Sequence, residues 1–283
     1  MWWKNAIFYE LYVDKFSRDF RSLIGRIGYL KDLGVDAVWV LPHYPSPMDD
    51  DGYDVSDFQN VRHELGTLDD FDLFVERAHA QNIKVVVDFV IGHTSTSHPW
   101  FVDAASSIES QYRDYYLWSN DGNQLRNSTN AFPNIKPNNW IFNPQTNDYY
   151  YATFYPSQAD LNWDNEQVFS DMLANMEFWI ERGVDGFRVD AVSTMIKREG
   201  TESYNLPEVH EIVKKIRKIF DDRFPDVLLL CEASGEQGEI EDYVKTGDEF
   251  HMAFNFALSR SIFLSLASGD MKYYEQALSS SIH

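Results

Sequence analysis

Basic residues and cysteine are scarce in this chain. Its 283 residues carry 24 Lys and Arg against 45 Asp and Glu, a formal net charge of −21. Nucleic acids and anionic membrane surfaces are recognised through basic patches, so this balance argues against either as a partner. The lone cysteine, Cys231, excludes an intramolecular disulfide. Its place in an apolar run suits a reducing, cytoplasmic setting. No apolar run reaches the roughly 18 residues of a membrane span, and Met1-Trp2-Trp3-Lys4 does not read as the start of a signal peptide. Neither Gly-x-Gly-x-x-Gly nor Gly-x4-Gly-Lys-Ser/Thr follows an apolar run, which removes the usual nucleotide fingerprints. The acid-rich Asp49-Asp50-Asp51-Gly52 lacks the alternating spacing of an EF-hand loop.

Aromatic side chains are plentiful, at 16 percent of residues, and short apolar runs alternate with helix-like stretches. Residues 6–13, 35–41, 83–93, 183–192, 227–233 and 249–255 read as strands. Residues 20–33 read as a helix. So do 207–222, where Val209, Ile212, Val213, Ile216, Ile219 and Phe220 recur at helical spacing, and a further stretch through about residue 268. Strand and helix alternating about six times predicts an α/β fold with a parallel sheet. The alternation favours a (β/α)8 TIM-type barrel, with about six of eight units present, over a doubly wound sheet. Residues 94–161 are rich in Asn, Ser, Pro and Tyr and lack regular periodicity. They read as a small domain inserted after the third strand, leaving 1–93 and 162–283 to the barrel. Aromatic clusters at 112–118 and 139–155 suit the insertion's own core, or sugar platforms along a cleft.

Two of the apolar runs deliver carboxylates. Arg188 and Asp190 stand two residues apart and so share a strand face. The guanidinium would hold the carboxylate ionised, although a purely structural ion pair explains this motif equally well. Glu232 closes the next run, and a right-handed crossover brings both strand ends to one edge of the sheet. A nucleophilic carboxylate and a carboxylic acid facing one cleft about 5–5.5 Å apart is the arrangement of retaining glycosidases. Taken alone, Glu232 is also an ordinary loop acid. Tyr53 suits stacking on a sugar ring, Asp54 charge-assisted hydrogen bonds to two hydroxyls, and His93 one further donor. Each of the three also has a plain packing reading.

The blocks at 88–93, Gln158-Ala159-Asp160-Leu161-Asn162, 186–192 and 229–233, with Gly52-Tyr53-Asp54-Val55-Ser56-Asp57-Phe58, resemble in order the catalytic domain of the α-amylase family of retaining glycoside hydrolases. Within it the likeness is to the trehalose synthase and oligo-α-glucosidase branch, through Asp51-Gly52-Tyr53-Asp54, Arg198-Glu199-Gly200-Thr201, Asn205-Leu206-Pro207-Glu208 and His251-Met252-Ala253-Phe254. The resemblance implies Asp190 as nucleophile and Glu232 as acid/base. It implies that Arg188 orients Asp190 and that Tyr53, Asp54 and His93 line the subsite of the reacting glucose. Short α-glucosides such as maltose or trehalose are the implied substrates, hydrolysed or transferred through a covalent glucosyl-enzyme.

The chain departs from that pattern in three places. Gly92 stands where relatives carry an Asn that commonly contributes to a calcium site. The stretch after Phe16-Ser17 lacks the acidic, glycine-containing calcium loop of the oligo-glucosidase branch. No metal or other cofactor is therefore expected. The family's last block, Asn-His-Asp at the end of strand seven, has no counterpart. The expectation is a C-terminally incomplete barrel, open at its first and sixth strands, with edges available for self-association. A catalytically impaired fragment, or a non-catalytic sugar-binding remnant, is the alternative to an active α-glucosidase.

Overall fold

A computed structural model describes residues 1–235 and 237–280. In chain order its elements are β1 (Phe8–Leu11), α1 (Val13–Phe16), α2 (Phe20–Ile24), α3 (Ile27–Asp32), β2 (Ala37–Val40), α4 (Leu68–Ala80), β3 (Lys84–Val90), β4 (His93–Ser95), α5 (Pro99–Ser106), β5 (Trp118–Ser119), β6 (Trp140–Asn143), β7 (Asp148–Tyr151), β8 (Gln158–Asp160), α6 (Glu166–Glu181), β9 (Gly186–Asp190), α7 (Pro207–Arg223), β10 (Leu228–Cys231), α8 (Gln237–Asp242), β11 (Met252–Ala253), α9 (Phe256–Ser268) and α10 (Lys272–Ser280). Six strands pair in parallel in the order β1-β2-β3-β9-β10-β11. They form a curled half-barrel, the (β/α) architecture expected from the alternation of apolar runs.

Two expected elements are broken. The run 83–93 is not one strand: β3 ends at Val90, and His93 opens β4, which pairs antiparallel with β8 and sets His93 opposite Asp160. Between β4 and β8 the chain forms α5 and a separate antiparallel sheet, β5-β7-β6. The stretch 20–33 divides into α2 and α3 at Gly25-Arg26. By contrast, the helix expected over 207–222 forms as α7, with Pro207 at its first turn, where a missing N–H costs nothing. Among the described residues no helix is long and apolar enough to cross a membrane.

Strand alternation sorts the core into two layers. Val38, Val40, Val85, Val87, Phe89, Phe187, Val189, Leu229 and Cys231 belong to the larger cluster with the helices. The other parity, Trp39, Val86, Leu228 and Leu230, packs inside the curl with Trp3 and Leu41. Gly186 lies on this inner parity because a side chain would not fit. A Cβ there would come within 2.7 Å of Leu228 Cβ and 3.1 Å of its carbonyl oxygen.

His43 is the oddity of the outer core. It is fully buried among Phe20, Tyr44, Phe71 and Trp179, stacked on Phe71 with ring centroids 5.2 Å apart, and both ring nitrogens lack hydrogen-bond partners. Burial, reinforced by nearby Arg62, pushes its pKa from 6.5 down to about 3. The unfolded chain thus takes up a proton here that the folded chain refuses. The stabilising effect is complete above pH 6.5 and is lost as pH falls from there toward about 3. His43→Leu should remove this dependence, so its urea midpoint should decline less between pH about 6.5 and 4 than that of the unaltered chain. Equal pH slopes for the two chains would refute the assignment.

Candidate active site

The register of the sheet builds a charged layer at its C-terminal edge. Asp88 of β3 lies directly opposite Arg188 of β9, and Val90 opposite Asp190. The parity that puts Trp39 and Val86 inside the curl puts Asp88, Arg188 and Asp190 there too. Arg188 is the hub. Its Nη1 donates to Asp88 Oδ1 at 2.9 Å and to Asp190 Oδ1 at 2.5 Å, and its Nη2 lies 2.8 Å from Glu232 Oε2, just past β10. The rings of Trp39, Tyr53 and Phe254 surround the guanidinium at 5.3, 5.7 and 6.0 Å. Asp88 is held on its other oxygen by Trp39 Nε1 and Tyr53 Oη, each at 3.2 Å.

One cation cannot neutralise three carboxylates, and burial raises the proton affinity of all three. Asp88 is pushed up to about 7 by burial, against the pull of Arg188. Asp190 is raised by burial, but Arg188 and a hydrogen bond with Glu232 work to keep it ionised. Glu232 is raised by burial, by the charge of Asp190 and by that same hydrogen bond. Arg188 thus favours charge on Asp190, while the charge of Asp190 favours the neutral form of Glu232. Glu232 is also the more open of the two, with 26% of its side chain exposed against 11% for Asp190.

The other expected site residues are placed unevenly. Tyr53 faces Arg188, with its hydroxyl already donated to Asp88. His93 is buried beside it, Nε2 lying 3.0 Å from the Tyr53 carbonyl oxygen and from Gln158 Nε2, while Nδ1 has no partner. Burial lowers the His93 pKa, so the ring is neutral. Asp54 is the most enclosed of the three. It is fully buried, and its carboxylate accepts from Ser46 Oγ at 2.6 Å and from the backbone N–H groups of Asp49 and Asp50 at 3.0 and 3.3 Å. These bonds tie the loop that carries it.

Asp50, half-buried, lies beside His93 through Gln158. Its Oδ2 accepts from Gln158 Nε2 at 2.9 Å, its charge acts on Asp190 and His93, and burial raises its pKa. Neither Asp50 nor Asp88 is among the candidate residues that the sequence singles out. Asp88 had a signal, as the sole acid inside the apolar run of β3. Asp50 had none that separates it from Asp49 and Asp51. Behind His93, Asp160 is bonded by Lys197 Nζ at 2.7 Å and by the Thr153 backbone N–H at 2.8 Å. Among the described residues no group of three or more His, Cys, Asp or Glu side chains is arranged to hold a metal ion.

The comparisons place the fold in a family. Residues 13–280 match the alpha amylase, catalytic domain family, and the chain belongs to that family of glycoside hydrolases and transglycosylases. It is 42% identical over 276 residues to the trehalose synthase/amylase TreS of Mycobacterium tuberculosis, a match covering 94% of this chain and 46% of that protein. It is 35% identical to an oligo-1,6-glucosidase of Bacillus cereus, covering 90% of this chain and 50% of that one. The crystal structure of Bacillus licheniformis trehalose-6-phosphate hydrolase superposes with a TM-score of 0.84 at 33% identity, covering 92% of this chain and 50% of that one. The chain thus spans about half the length of the relatives it matches.

Removing the hub tests the electrostatics. Arg188→Met should cost about 3–5 kcal/mol at neutral pH, because it strands buried carboxylates without their cation. Carboxyls with raised folded pKa values favour the folded state below their unfolded values, near pH 4, and lose that advantage as pH rises through the folded values. The deficit of the variant should therefore shrink on acidification. Urea unfolding at pH about 5 and about 7.5 checks this; the same deficit at both would mean packing rather than charge.

Proposed function

We propose that this chain carries a retaining α-glucoside centre acting on short α-glucosides such as maltose or trehalose, by hydrolysis or by glucosyl transfer. The observation that carries the reading is the single guanidinium of Arg188 shared by Asp190 and Glu232 at neighbouring strand ends. Asp190, the deeper of the two and bonded by Arg188 Nη1, attacks the anomeric carbon. Glu232, the more exposed of the two and raised by burial and by the charge of Asp190, donates a proton to the glycosidic oxygen as its bond to the anomeric carbon breaks. As a carboxylate it then accepts a proton from water, or from a hydroxyl of a second sugar, whose oxygen displaces Asp190. Arg188 orients Asp190. The Tyr53 ring and Asp50, bonded to Gln158, stand with buried His93 on the side where the reacting sugar would sit.

Binding without turnover is a second reading, favoured by the open end of the sheet at β11. There Phe263 and Leu266 of α9 are 72% and 77% exposed, so among the described residues this flank of the barrel has no cover.

Incubation with maltose, with the products resolved by chromatography, separates the two. Under the first reading glucose or trehalose appears, and Asp190→Asn should lower turnover on the order of 10⁴-fold while leaving maltose affinity nearly intact. Full turnover by Asp190→Asn would reject it as nucleophile. Maltose bound equally by both chains, with no product from either, would favour binding alone.

A further inference from the structure

The segment joining β9 to α7 ends in Asn205-Leu206-Pro207-Glu208, which the proposed chemistry leaves unused. Asn205 adopts φ 48°, in the left-handed region that Asn tolerates better than most residues. Its backbone N–H donates to the carbonyl oxygen of Ser193 at 2.9 Å. Its side-chain Nδ2 donates to the carbonyl oxygen of Ser234 at 3.2 Å, and its Oδ1 accepts from the hydroxyl of the buried Tyr243 at 2.9 Å. Ser193 lies three residues after Asp190, and Ser234 two after Glu232. One residue therefore ties together the two loops that carry the two carboxylates.

The same seam reaches the acid itself. Ser234 N–H donates to Ser193 Oγ at 3.3 Å, and Val192 N–H to the carbonyl oxygen of Glu232 at 3.2 Å. Ala191, also left-handed at φ 46°, donates its N–H to Glu232 Oε2 at 3.1 Å. A left-handed alanine persists only where its surroundings impose it. Here the surroundings are the hydrogen bonds that pin the loop after β9 against the loop after β10.

We infer that Asn205 is a positioning residue: by fastening Ser193 and Ser234 it keeps the Ala191 N–H on Glu232 and sets where that carboxyl stands relative to Asp190. The inference rests on the retaining reading above and extends it to a residue that touches neither substrate nor reacting atoms.

Two variants test it in the full chain. Asn205→Gly keeps the left-handed backbone accessible and deletes the amide; Tyr243→Phe deletes one of its hydrogen bonds from the other side. The first readout is the Ala191 amide resonance followed by NMR against pH, which reports ionisation of the carboxyl it bonds. Its titration should be weakened or displaced in Asn205→Gly, and in the same sense but less in Tyr243→Phe. The second readout is turnover. Loss on alkyl α-glucosides, which need leaving-group protonation, should be ten- to a hundredfold in order of magnitude, against less than about threefold on 4-nitrophenyl α-glucoside. An Ala191 titration unchanged in a variant that keeps its circular dichroism spectrum would overturn the inference. So would equal losses on both glucosides. The NMR arm needs no turnover, so failure of the retaining reading would register separately, as Asp190→Asn without effect.

Discussion

The arrangement depends on one guanidinium serving three buried carboxylates. A buried charge costs most when it is unpaired, and here the sheet supplies the pairing by register, although Arg188 Nε is left without a hydrogen-bond partner. Asp88 and Arg188 are cross-strand partners, so their contact follows from the β3–β9 pairing itself. Gly186, two residues earlier on β9, lets β3 and β10 close in beside it. Trp39 and Tyr53 then complete the hydrogen bonding of Asp88 and shield the cation. The inner layer is thus built backward from the charges: strands close enough to share an arginine, and aromatic walls that exclude water from it.

Two buried populations pull stability in opposite directions with pH. The carboxylates around Arg188 resist ionisation and so penalise the fold as pH rises. His43 resists protonation and penalises it as pH falls. They sit on different faces of the sheet and share no hydrogen bond. Their effects should therefore add, giving a stability maximum between them rather than at either extreme. A carboxyl layer of this kind is costly for stability alone, and its concentration at one strand edge is what marks the place as a site.

Much of this was legible in the sequence because period-two alternation and strand-end acids survive in any reading of a parallel sheet. Arg188, Asp190 and Glu232 were found that way, and Asp88 had the same signature, an acid on the inner parity of an apolar strand. The rest follows no period. The break at Gly92 that turns His93 into the start of β4 depends on β8, which is 65 residues away at the Gln158 contact. Asp50 is told from Asp49, Asp51 and Asp54 only by which way a loop folds, and no local pattern records that.

The loop from Ser46 to Asp54 shows how such a choice is made. Gly52 adopts φ 102°, and a Cβ there would press on Pro42, so the turn belongs to glycine. The turn sends Asp54 inward, beneath its own loop, where three donors consume its carboxylate. Two of those donors belong to Ser46 and Asp49; the third is the backbone N–H of Asp50. Holding Asp50 by its backbone lets its side chain reach Gln158 with one oxygen. Had Asp54 turned to the cleft instead, the loop would lose the acceptor that shapes it, and Asp50 would lose its aim. An acid that holds its own loop can thus set where the neighbouring acid points.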